Sequence, residues 1–200
     1  MTINLKTTLD SMAGGLFLMS IFTAGLIALA EYNLNGRDYA ALGIVFVVIV
    51  SVFISYYLKF SNAAKTLASD FPGVKSADEK KKDKWFMIIG ALEGLAIFLT
   101  ANVLINIKLF NYFVPAMALI VGLHFFPLGY IFKRSFDYFM GIWTCVVAFT
   151  GMILIKQHLA GFEVIALVST GCAIATSLYG IRMIAQGRNA MQQSSLLINS

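Results

Sequence analysis

The chain has 200 residues, of which 59% are hydrophobic and 12% charged, with a mean hydropathy of +0.81 and a formal net charge of +5. Soluble domains carry about 25% charged residues, so this composition excludes an ordinary soluble enzyme and points to lipid as the solvent. The positive charge gathers in alternate connections, which makes it a topology signal and implies no nucleic-acid partner.

A hydrocarbon core of about 30 Å takes about 20 helical residues to cross. Six runs meet that length: roughly 12–31, 39–59, 85–106, 110–132, 138–156 and 163–185. They predict an all-α fold, a polytopic integral membrane protein with six transmembrane helices in a single bundle, forming one membrane domain over 1–200. Lys6 precedes the first run, and Ala28-Leu29-Ala30 near its end resembles a signal-peptide cleavage site. The stretch 11–30 is a full crossing, however, longer than the about 7–15 residues of a signal h-region, so the first helix is expected to be retained.

The second run leads into the one long connection, 60–84. In "FSNAAKTLASDF", Phe60, Ala63, Ala64, Leu67, Ala68 and Phe71 recur at helical spacing until Pro72-Gly73. This predicts either an amphipathic helix on the inner leaflet or an extension of the second span. The following "KSADEKKKDK" has five lysines offset by Asp78, Glu79 and Asp83. At about 1 kcal/mol per uncompensated basic residue it is a weak lipid tether, and a solvated topogenic loop is expected.

The third and fourth runs alone carry ionisable residues deep inside, Glu93 and His124. The connection "INIKLFN" makes these spans antiparallel neighbours. Glu93 lies nine residues after Lys84 and His124 nine before Lys133, so each sits about 13 Å from the inner charges, near the midplane. Both are equally far in sequence from the turn between Lys108 and Leu109, so a hairpin brings them level. Gly90 and Gly94 form a GxxxG pattern that admits another helix backbone, and Thr100 shares the face of Glu93. Pro127 clashes with the carbonyl of Leu123, freeing an acceptor beside His124 and predicting a local kink. These features predict that Glu93 faces the bundle interior. Asn102 and Asn106 lie near the outer end of the third span, where they would line a vestibule, cap the helix or bond to a neighbouring one.

The fifth and sixth runs hold Cys145 and Cys172, which have no metal or CxxC spacing and are expected as free thiols. Gly171, Cys172, Ala175, Thr176 and Gly180 form small-residue stripes suited to helix packing. Arg182 falls at the inner boundary, within reach of the headgroups.

With the N-terminus inside, twelve basic residues lie inside (Lys6, Lys59, Lys65, Lys75, Lys80, Lys81, Lys82, Lys84, Lys133, Arg134, Arg182 and Arg188) and three outside (Arg37, Lys108 and Lys156). Both termini and 60–84 are therefore expected in the cytoplasm, with the cell membrane as the location. Tyr32, Tyr39 and Tyr112 near one boundary and Tyr56, Tyr57, Trp85, Tyr130, Tyr138 and Tyr179 near the other agree with this.

An ionisable residue at midplane costs about 2.5–3.5 kcal/mol or more, which makes a functional role the default. The leading expectation is a small transporter or channel-like protein in which Glu93 and His124, with Thr100 and Pro127 beside them, bind a proton, cation or small polar solute. The alternative is a non-catalytic membrane scaffold or assembly factor with a structural Glu–His pair. No HExxH, GxSxG or P-loop is present, so neither catalytic residues nor a metal or cofactor site is expected. The expected partners are the lipid bilayer, a small solute or ion, and a second copy of the chain in a homo-oligomer.

Overall fold

The apolar runs fold as helices, and several continue past the hydrocarbon length. The computed structural model describes residues 5–38, 40–67, 77–157 and 161–198. Helix α1 spans Leu5–Leu34, α2 Ala41–Thr66, α3 Ala77–Asn106, α4 Phe113–Phe132, α5 Ser135–Lys156 and α6 Gly161–Ile198, with a single 3₁₀ turn, Phe110–Tyr112, ahead of α4. All six are long and apolar enough to cross a membrane.

Short polar connections stop and restart the helices. Asp38 accepts from the backbone N–H groups of Ala40 at 3.2 Å and Leu42 at 3.1 Å, and Glu31 accepts from that of Gly43. Two carboxylates thus satisfy the orphan donors at the start of α2. At the end of α4, Lys133 adopts the left-handed conformation at φ 53°, and the Arg134 N–H turns back to the Gly129 carbonyl at 3.0 Å. That closes the helix so tightly that α5 begins two residues later.

The helices pack as a row in the order α2, α1, α6, α5, α4, α3, with α2 and α4 also touching the flanks of α6. The heart of the row is α1 against α6. Phe53 and Phe60 of α2, both fully buried, lie over Gly180 and Gly187 of α6, where a Cβ would invade the ring. Around them Leu9, Leu16, Ala64 and Ile184 complete one core. A second core, toward the other end, joins Ala118, Ala148, Ile155, Val164, Val168 and Cys172 of α4, α5 and α6. Cys145 and Cys172 are free thiols.

Of the two forms expected for the first half of 60–84, the extension of the second span is the one seen: α2 runs on to Thr66 because Phe60 and Ala64 are buried in the first core. The lysine-rich stretch, expected as a solvated loop, is from Ala77 the start of α3. Ala68, Phe71 and Pro72-Gly73 lie outside the described residues, as does Tyr39. Helix α4 continues through Pro127, whose ring is exposed. Finally, the row gives α3 one substantial helical neighbour, α4. Glu93 therefore sits at an edge seam and not in the interior of a closed bundle.

Candidate functional site

The turn between α3 and α4 fixes the register of the site. Lys108 takes a left-handed conformation at φ 58°, and the Leu109 N–H bonds the Leu104 carbonyl at 2.9 Å, so the chain reverses about the point equidistant from residues 93 and 124. Glu93 Oε1 and His124 Nδ1 meet 3.4 Å apart, as the spacing predicts. Their side chains retain 22% and 17% of their exposure, which places them in the seam between the two helices and not beneath a further layer.

The contact is within ion-pair distance without meeting hydrogen-bond geometry; His124 Nδ1 is buried, and the Val121 backbone is the other acceptor within the imidazole's reach. The imidazole nitrogen is therefore close to the carboxylate without being held in a well-formed bond to it. The imidazole stacks on the Phe125 ring, 4.4 Å between centroids and inclined by 27°, which restrains its plane. Toward the Lys133 end the seam is closed by Phe86 of α3 standing edge-on to Phe132 of α4 at 6.3 Å.

The other sequence-selected residues divide. Thr100 is half-buried on the same side of α3 as Glu93, facing the seam. Pro127 is exposed, about 60° around α4 from His124, so its ring does not line the pair. Gly90 and Gly94 are open: a Cβ on either would meet nothing within 4 Å. Asn102 and Asn106 neither cap nor bridge; each donates to the carbonyl four residues earlier in its own helix, Phe98 and Asn102, at 2.8 and 2.9 Å.

Sequence reading does not single out Asp137, which is 1% exposed in the first turn of α5. Tyr179 of α6 donates its hydroxyl to Asp137 Oδ1 at 2.7 Å. The Phe136 ring lies 5.6 Å from that of Tyr179 and beneath the Arg182 guanidinium at 4.5 Å. The only clue in the sequence is an acid just inside a helix start. Its tyrosine partner is 42 positions away. A second buried polar contact joins Thr23 of α1 to Thr176 of α6 at 2.7 Å. Here the small-residue stripe of α6 does serve helix packing.

Among the described residues no three His, Cys, Asp or Glu side chains converge as a metal site would require. No protein-family model, curated protein or solved structure matches the chain.

Proposed function

We propose that the chain is an integral, multi-pass membrane protein with both termini in the cytoplasm, and that its Glu93–His124 pair binds and releases a proton, a cation or a small polar solute as part of transport. The observation that carries this reading is the 3.4 Å approach of a half-buried carboxyl and a half-buried imidazole from facing helices, without a well-formed bond between them. Midplane polar groups are costly, and an ionisable pair kept there is suited to taking a ligand. A second reading, a membrane scaffold whose pair only joins two helices, is favoured by α3 having one substantial helical neighbour, α4, and by its open Gly90 and Gly94.

Two substitutions separate them. Glu93→Gln keeps the shape and much of the polarity but cannot exchange a proton, so it abolishes pH-gradient-driven flux in proteoliposomes while thermal stability in detergent is kept. If the pair is only structural, Glu93→Gln is nearly silent, whereas Glu93→Ala strands His124 and destabilises the hairpin by roughly 1–2 kcal/mol. Wild-type flux in Glu93→Gln across a panel of ions and polar solutes sinks the transport reading and leaves the scaffold.

A further inference from the structure

A lateral groove of about 460 Å³ lies on the opposite side of α5 from the Glu93–His124 seam. Leu34 and Leu42 form one wall, Val146 and Val147 the other, and α6 is the floor, with Leu167 and Ile174 along it. The lining of α6 extends from Glu163 to Ile174, about 16 Å at the helical rise. That is close to half of the about 30 Å thickness of a hydrocarbon core.

The polar groups in the walls are already satisfied within the protein. Trp143 donates its indole N–H to the Gly171 carbonyl at 2.9 Å. Thr150 and Thr170 donate their hydroxyls to the carbonyls of Val146 and Ala166, both at 2.8 Å. Between its ends the groove offers hydrocarbon and no free donor. Charge appears only at the mouth. There Arg37 donates to Glu163 at 3.0 Å and its guanidinium lies 4.5 Å over the Phe162 ring. The Arg37 side chain is 59% exposed, and a guanidinium has five N–H donors, so some remain for another anion while the same charge offsets Glu163.

We propose that this groove seats one acyl chain of a phospholipid from the leaflet at the Arg37 end, with the lipid phosphate beside Arg37. The length fits one leaflet, the walls fit hydrocarbon and the mouth fits a phosphate. The proposal rests on the membrane-spanning part of the reading above and is independent of what Glu93 and His124 do.

The test uses the full chain reconstituted in vesicles of phosphatidylcholine and phosphatidylglycerol in equal parts, extracted in mild detergent and weighed by native mass spectrometry. Wild type is expected to retain one phospholipid. Val146→Trp and Thr150→Trp, at exposed positions on the α5 wall, fill the groove and lose it. Arg37→Gln weakens retention, whereas Leu99→Trp, exposed on distant α3, keeps it. Helix content and melting of each variant are checked by circular dichroism, so loss of lipid is scored only on folded protein. A lipid-free wild type, equal retention in both groove-filling variants, or a second protein chain held in place of the lipid overturns the proposal. Alkaline carbonate extraction scores insertion separately: a chain stripped from the vesicles refutes the membrane reading, while an inserted, lipid-free chain refutes only the groove.

Discussion

Glu93 and His124 meet because one short turn relates them, and the cost of an unmet polar group in this fold is best measured elsewhere, at Ser169. Its side chain is fully buried in α6 and its hydroxyl has no hydrogen-bond partner. A buried unsatisfied hydroxyl costs about 1–3 kcal/mol, so Ser169→Ala should raise the melting temperature in detergent; a lowered one would show an unrecognised bond. Thr23→Val is the converse. It removes the 2.7 Å contact with Thr176, though Thr176 still donates to the Ala173 carbonyl, so a loss of about 0.6 kcal/mol is expected, the average for such bonds between membrane helices. The level pairing of residues 93 and 124 was legible by counting from the turn. The Asp137–Tyr179 bond was not, because it depends on how α5 and α6 rotate against each other, which no local pattern encodes.

At the scale of helices, glycines tell packed faces from open ones. Gly180 lies directly under the Phe53 ring, so Gly180→Ala should overpack the α2/α6 contact and destabilise the fold by about 1–3 kcal/mol. Gly90 and Gly94 face open space, so alanine at either should leave the fold intact and add about 0.5–1 kcal/mol through the helix backbone. Thermal melts of the three variants check both signs. A destabilised Gly90→Ala or Gly94→Ala would mean that a second helix covers α3, which would favour the scaffold reading. The six helices were legible from apolar length, and their ends less so. Helix α2 outruns its hydrophobic run because Phe60 and Ala64 find a core formed by residues distant in sequence. The edge position of α3 had no sequence signature, since a membrane helix reads as apolar on every side whether it faces lipid or protein.

For the molecule as a whole, the distribution of twelve basic residues against three predicts the orientation. In a variant lacking Cys145 and Cys172, a cysteine at residue 78 should resist an impermeant maleimide added to intact cells, while one at residue 108 should react; the reverse pattern would invert the topology. The row of helices, with its polar pair at one edge, makes the proton chemistry of that pair the central claim. On the proposed reading, two groups this close are expected to titrate as one unit with shared macroscopic steps. His158→Gln leaves His124 as the only histidine of the chain, so its imidazole nitrogens can be followed by ¹⁵N NMR across pH in lipid. The pairing predicts that Glu93→Gln displaces the His124 titration and that a carboxyl infrared band changes over the same pH interval in the parent protein. A His124 curve that is identical with and without the Glu93 carboxylate would contradict it.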